Sequence, residues 1–164
     1  KRDMSRAEVE VLEEEKELLY RAFYEEHRKP AEGLLEFLQA LRSRGIKTAL
    51  ATSAGPGNID FIVDGLGIRD QFDAIIGGAE VTKGKPDPEI YVKAAALVGV
   101  ATADCWVIED SLQGIASGHA AGARVVGMTT SHTAEELAHT QVITPNFVDL
   151  FSKIVKLSEV FIVY

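Results

Sequence analysis

Apolar residues follow a helical rhythm at the start of the chain, then break into short continuous runs separated by further helical stretches. Ser5 and Glu8 have the spacing of a capping box, and Val9, Leu12, Leu19 and Phe23 recur after it on a helical period. A long amphipathic helix is therefore expected to about His27. Its other face is densely acidic, and the run Glu13-Glu14-Glu15 reads as solvated helix surface rather than as metal ligands. Pro30 breaks this helix, and Leu34, Leu35, Leu38 and Leu41 mark a second one that ends at Gly45, where a left-handed cap suits glycine.

From Gly45 onward the pattern is regular. A strand from Lys47 to Thr52 precedes a helix from Asn58 to Leu66 that is stopped by Gly67. A strand from Phe72 to Ile76 leads into a glycine-rich loop. Asp87 as N-cap and Pro88 at the first helical position then start a helix through Val98, ended by Gly99. Strand Cys105 to Ile108, a helix from Leu112 to Ala121 ended by Gly122, strand Arg124 to Met128, a short helix capped by Thr133, and strand Gln141 to Thr144 complete the series. Apolar strands alternating with helices predict an α/β fold, a doubly wound parallel (Rossmann-like) sheet covered on both faces. The terminal Glu159-Val160-Phe161-Ile162-Val163-Tyr164 is apolar enough for either a last strand or a packed tail, and the pattern does not separate the two.

Composition narrows the class. With 164 residues, 46% of them hydrophobic, the chain can bury one substantial core and is expected to fold as a single unit plus an appendage. A net charge of -8 without clustered Lys and Arg excludes a nucleic-acid surface. The single cysteine, Cys105, has no internal partner and sits in a strand-like run, which fits a buried thiol and a reducing compartment. No apolar run approaches a membrane span, and Lys1-Arg2-Asp3 leads into charged residues rather than a signal core, so a cytoplasmic location is expected. Residue 1 is not Met, which suggests that an N-terminal portion has been cut, left out or renumbered.

In open parallel sheets, ligands sit beyond the carboxyl ends of the strands. Three motifs occupy such positions: Leu50-Ala51-Thr52-Ser53, Lys83-Gly84-Lys85-Pro86-Asp87-Pro88, and Val107-Ile108-Glu109-Asp110-Ser111. A hydroxyl, a lysine and an acidic pair converging on one crevice can hold a phosphate group beside a magnesium ion. Each also has a plainer explanation. Thr52 and Ser53 suit a turn through Gly55-Pro56-Gly57, Lys85 could be solvated with Lys83 as its competitor, and Asp110 could cap the following helix. Two adjacent carboxylates would repel unless a cation or a helix N-terminus compensates. Ser53 lacks the glycine-flanked elbow of serine hydrolases, Gly55-Pro56-Gly57 lacks the P-loop ending, and no Gly-x-Gly-x-x-Gly follows a strand. His27, His119, His132 and His139 share no ligand spacing and read as surface residues.

From about Ala31 to Thr144 these motifs resemble three of the four signature motifs of the haloacid dehalogenase-like (HAD) hydrolases, most closely the β-phosphoglucomutase-like phosphatase and phosphomutase branch. The resemblance places Thr52 at the second motif and Lys85, in Lys85-Pro86-Asp87-Pro88, at the third. It implies Mg2+ bound directly by Asp110, and by Glu109 directly or through water. Catalytic roles fall to Lys85 and Asp110, and phosphate binding to Thr52, Ser53 and Lys85. The implied reaction is phosphoryl transfer from a small phosphorylated metabolite, with a sugar phosphate as the best analogy, through an aspartyl-phosphate.

The family's opening Asp-x-Asp, which carries the nucleophile, does not occur between Lys1 and Tyr164. The chain accordingly reads as the C-terminal portion of such an enzyme, inactive alone. Residues 1–29 would end a helical cap, and residues 30–164 would form a core lacking its first strand. That strand belongs between those ending at Thr52 and Ile108, so two unpaired edges are expected, with poor stability or pairing to another chain or to a missing N-terminal segment. A C-halogen hydrolase, which needs no metal, is argued against by Glu109-Asp110. The remaining alternative is a non-catalytic module that binds a phosphorylated ligand or a protein partner.

Overall fold

The computed structural model describes residues 4–154 and 160–163. Helix α1, Arg6–Tyr24, begins with the expected capping box: the Ser5 side chain accepts from the Glu8 amide at 3.3 Å, and the Glu8 carboxylate accepts from the Ser5 amide at 2.8 Å. The apolar stripe that makes this helix amphipathic is not covered among the described residues. Leu12, Leu19 and Phe23 are exposed, Phe23 by 78%. The face toward the rest of the molecule carries Glu17, Tyr20 and Arg21, with Arg21 Nη1 donating to Asn58 Oδ1 at 2.7 Å and the Tyr20 ring edge-on to Phe61.

The following elements are α2 (Leu34–Ser43), β1 (Thr48–Ala51), α3 (Pro56–Gly65), β2 (Ala74–Ile76), α4 (Glu89–Leu97), β3 (Cys105–Glu109), α5 (Leu112–Ala120), β4 (Arg124–Met128), β5 (Val142–Thr144), α6 (Phe147–Ile154) and β6 (Val160–Val163). Gly45, Gly67, Gly99 and Gly122 all adopt the left-handed conformation past helix ends. The helix expected at Thr133 is instead a turn. Thr133 and Glu136 satisfy one another's amides, and that closes one turn without propagating it. Helix α6 was not anticipated, although Asn146 accepts from the Asp149 amide at 2.9 Å in N-cap fashion and Phe147, Leu150 and Ile154 share its buried face.

All strand pairs are parallel, in the order β2-β1-β6-β3-β4-β5. Helices α4 and α5 cover one face, where Tyr91, Ala94 and Ile115 meet Ala49, Val107, Val125 and Ile162. Helices α2 and α6 cover the other, where Phe37, Leu41, Phe147 and Leu150 meet Ile108, Val126, Phe161 and Val163, and α3 adds Ile59 and Val63 on that side. The sheet is doubly wound as expected. Among the described residues no helix is long and apolar enough to cross a membrane.

One expectation is overturned. The position between β1 and β3, expected to be vacant, is filled by β6, which pairs Leu50 with Val163 on one side and Ile108 with Val163 on the other. Buried backbone donors and acceptors in mid-sheet require partners. The run Phe161-Ile162-Val163 supplies them, and its alternate side chains serve both cores with 1%, 0% and 4% exposure. The terminal segment is therefore a strand, and both edges that were expected to seek a second chain are paired within this one. Expected outcome: Phe161→Ala lowers stability by about 3–5 kcal/mol in urea unfolding, whereas Leu97→Ala at a 61% exposed site changes it by no more than about 0.5 kcal/mol. Equal, small effects would show that β6 contributes no core.

Candidate active site

The carboxyl ends of β1, β3 and β4 open onto one rim of the sheet. At the end of β1 the Thr52 amide donates to Ile76 O at 3.0 Å, and its hydroxyl accepts from the Ala54 amide at 3.2 Å, so Thr52 does begin a turn. Ser53 is exposed beside it. The loop after β2 folds back so closely that a Cβ on Gly78 would lie 2.6 Å from Ser53 O. Only glycine permits that approach.

The loop from Thr82 to Pro88 carries the lysines. Glu89 accepts from the Thr82 amide at 3.0 Å and the Lys83 amide at 2.9 Å, and pairs with Lys93 at 2.6 Å. These contacts, Lys93 foremost, hold its carboxyl at about 2, well below the ordinary 4.5. The far side of the loop is pinned where Ser117 Oγ donates to Asp87 O at 2.7 Å. Helix α4 starts at Glu89 with Pro88 in the cap position, and Asp87 Oδ1 accepts from the Glu89 amide at 3.1 Å, one residue away from the expected arrangement. Lys83 points outward, 72% exposed, against Asp87 at 3.5 Å. Lys85 points inward with its side chain 10% exposed, donating to Ala51 O at 3.4 Å and to Glu109 Oε1. The two candidate lysines are thus separated by orientation.

Glu109 ends β3 with 1% exposure. Besides Lys85, its carboxylate accepts from Tyr91 OH at 2.7 Å, from the Asp110 and Ser111 amides at 3.1 Å each, and from Ser111 Oγ at 2.9 Å. The Lys85 ammonium also lies 4.9 Å from the Tyr91 ring centroid. Space for the carboxylate exists because residue 114 is glycine: a Cβ there would fall 1.9 Å from Glu109 Oε1. Ser111 caps α5 by accepting from the Gly114 amide at 3.0 Å. Capping therefore belongs to Ser111 and leaves Asp110 for another role.

Asp110 turns the opposite way. Its Oδ2 accepts from Thr130 Oγ1 at 2.9 Å and from Ser131 Oγ, and its backbone oxygen lies 2.9 Å from His132 Nδ1. No hydrogen bond reaches Oδ1 among the described residues. Magnesium is commonly held by one or two carboxylates together with waters and phosphate oxygens. Asp110 fits that donor set through Oδ1, while Glu109 is saturated by protein donors. Among the described residues no group of three or more His, Cys, Asp or Glu could hold a metal unaided.

Sequence reading missed Tyr91, Thr130, Ser131 and His132. Tyr91 was legible only as a core aromatic of α4, and the hydroxyl cluster after β4 lies 20 residues or more from its carboxylate. His132 is half-buried rather than a surface residue. So is His119, whose ring lies 5.9 Å from that of His139 and whose proton affinity is lowered chiefly by burial. Cys105 is buried, and desolvation pushes its thiol up to about 11, so it is an inert core group.

A family model described as haloacid dehalogenase-like hydrolase matches residues 2–122. The chain is 41% identical over 96 residues to β-phosphoglucomutase of Bacillus subtilis, covering 58% of this chain and 42% of that protein. It is 37% identical over 101 residues to a bifunctional riboflavin kinase/FMN phosphatase of Arabidopsis thaliana, covering 61% of this chain and 27% of that one. The chain thus spans less than half the length of these two relatives. Among solved structures, a HAD hydrolase of family IA, variant 3, from Entamoeba histolytica superposes with a TM-score of 0.86 at 30% identity, covering 96% of this chain and 74% of that one. A β-phosphoglucomutase from Clostridium difficile gives 0.83 at 27% identity, covering 93% and 68%.

Two outcomes follow from the geometry of the rim. Lys85→Met leaves the Glu109 carboxylate buried without its cation and is expected to cost about 3–5 kcal/mol in chemical denaturation. Glu109→Gln added to that variant should recover much of the loss, and no recovery would refute charge compensation as the cause. Glu89 should titrate near pH 2 by carboxyl carbon NMR. Because its folded value is depressed, its contribution is complete above about 4.5 and disappears as pH falls through about 2. Loosening of the Thr82 and Lys83 amides should follow the same course, and an unshifted titration would remove Glu89 as the loop's anchor.

Proposed function

The chain belongs to the haloacid dehalogenase-like hydrolases, in the phosphatase and phosphomutase branch, and from that membership we propose that it is the phosphate-holding part of a magnesium-dependent phosphatase or sugar phosphomutase. The observation that carries this reading is the inward Lys85, held between Ala51 O and Glu109 on the rim that also bears Thr52 and Asp110. An ammonium so placed is kept in position by a buried carboxylate and needs no reorganisation when an anion arrives.

In this reading the Thr52 hydroxyl and the Ser53 backbone amide receive phosphate oxygens, and Lys85 offsets negative charge on the transferring group. Glu109 acts mainly through Lys85, and any reach toward the metal would pass through water. Asp110 would hold the metal directly through its open Oδ1. Magnesium, when bound, supplies positive charge to the phosphoryl oxygens. The reaction itself is attack of an aspartate carboxylate oxygen on phosphorus, with cleavage of the ester P–O bond and departure of the alcohol. The resulting aspartyl-phosphate then passes its phosphoryl group to water or to a second hydroxyl.

The attacking carboxylate and its acid–base partner lie outside residues 1–164, in keeping with the absence of Asp-x-Asp within them. Residues 1–29 end a substrate-selecting cap. The substrate is a small phosphorylated metabolite, most simply a sugar phosphate. Relatives named as Validoxylamine A 7'-phosphate phosphatase and phosphoglycolate phosphatase support a small phosphate ester.

The test is calorimetric titration of the chain with inorganic phosphate in the presence of Mg2+, alongside turnover by the whole enzyme that contains it. Thr52→Val should weaken phosphate binding by about tenfold, the worth of one charge-assisted hydrogen bond. In the whole enzyme Asp110→Ala should lower Mg2+-dependent kcat by about 10²–10³. Unchanged phosphate affinity in the first variant together with full activity in the second would sink the assignment.

A further inference from the structure

The turn that follows β4 has no part in the reading above, yet it meets the site directly. Thr129 is the first residue past the strand, and its amide donates to Thr144 O at 3.0 Å, which ties the turn to the end of β5. On its far side Thr133 is locked to Glu136, whose carboxylate accepts from the Thr133 amide at 2.8 Å and hydroxyl at 3.0 Å. Between these anchors Thr130, Ser131 and His132 all reach Asp110.

We propose that Thr130, Ser131 and His132 form a positioning device that holds the Asp110 carboxylate with Oδ2 engaged and Oδ1 presented to a divalent cation. This rests on the reading of Asp110 as the cation's ligand. The chemistry of the donors argues for it. Two hydroxyls on one carboxylate oxygen fix its rotation while leaving its full negative charge in place, whereas a lysine or arginine there would neutralise the charge that a cation needs. His132 Nδ1 at the Asp110 backbone oxygen holds the main chain of the same residue. Side chain and backbone of one aspartate are therefore clamped from a single turn. The two neighbouring carboxylates are thereby kept apart in function: Glu109 is saturated and inward, Asp110 half-open and outward.

The experiment is binding of Mn2+ to the 164-residue chain, read by electron paramagnetic resonance of the free ion, with Mg2+ as competitor and with inorganic phosphate binding measured separately without metal. Thr130→Val with Ser131→Ala should weaken Mn2+ binding by about 10- to 100-fold, the range for removing groups that orient a ligand. Metal-free unfolding and phosphate affinity should stay unchanged. Each single variant should show part of the loss, which keeps the test open if the double variant folds poorly, and Ser131→Thr should restore near-normal binding.

If Asp110→Ala abolishes Mn2+ binding while the hydroxyl variants alter it by less than about threefold, the positioning role is overturned and the metal ligand stands. If phosphate affinity falls as far as metal affinity, the hydroxyls contact the substrate and the proposal also fails. If Asp110→Ala leaves Mn2+ binding intact, the ligand assignment itself is wrong.

Discussion

An ionised carboxylate with 1% exposure is tolerable only when its charge is met on every side, and at Glu109 this requirement reaches into three separate parts of the chain. The ammonium comes from the loop before α4, the phenol from α4 itself, the hydroxyl and amides from the start of α5, and the space from Gly114. Each contribution depends on the others. A lysine drawn inward by this carboxylate directs the loop from Thr82 to Pro88, and that loop is in turn tied down by Glu89 and Ser117. Because the network is satisfied, it fixes one arrangement rather than several. What it fixes is a cation at the open end of a parallel sheet, beside a turn rich in hydroxyls and amides.

Parallel topology is the second condition. Every strand delivers its carboxyl end to the same rim, so residues separated by dozens of positions arrive together without any local signal between them. The sheet is continuous across the rim because β6 occupies its centre. A four-residue strand suffices there since both neighbours are short and both faces are covered, and Phe161 packs edge-on against Phe37 at 5.6 Å. Superposition on a HAD hydrolase from Entamoeba histolytica over 96% of this chain places the described fold in that family. The proposed chemistry accordingly depends on what the sheet holds at its rim. Helix α1 is in a different situation, for its polar and aromatic side meets α3 while Leu12, Leu19 and Phe23 face outward.

Most of the fold was legible because it rests on local periodicities. Strands β1, β3 and β4 and the helices between them follow from apolar runs and glycine stops, and Gly45, Gly67, Gly99 and Gly122 all serve as the left-handed terminators expected of them. Local signals failed where they were ambiguous in extent. Thr133 and Glu136 carry a helix-start signature that is fully satisfied by one turn, and burial of Leu137 at 0% exposure then takes the chain into the core instead of onward as helix. The α1 stripe was read correctly as helical, but periodicity says nothing about which face finds a partner.

What the amino-acid order determined by itself was the class of fold and the three motifs at strand ends, while the choice between two lysines came from the resemblance of Lys85-Pro86-Asp87-Pro88 to the family's third motif. These are properties of neighbours within a few residues, where helix and strand periods and turn chemistry operate. Tertiary structure alone decided that Val160 to Val163 completes the sheet, that Tyr91 and Gly114 build the nest of Glu109, and that Thr130, Ser131 and His132 grip Asp110. Apart from Gly114, which lies close to Glu109 in the chain, those relations join residues 18 or more positions apart. Their energies come from burial and from matching donors to acceptors in space, and neither exists until the sheet has brought the segments together.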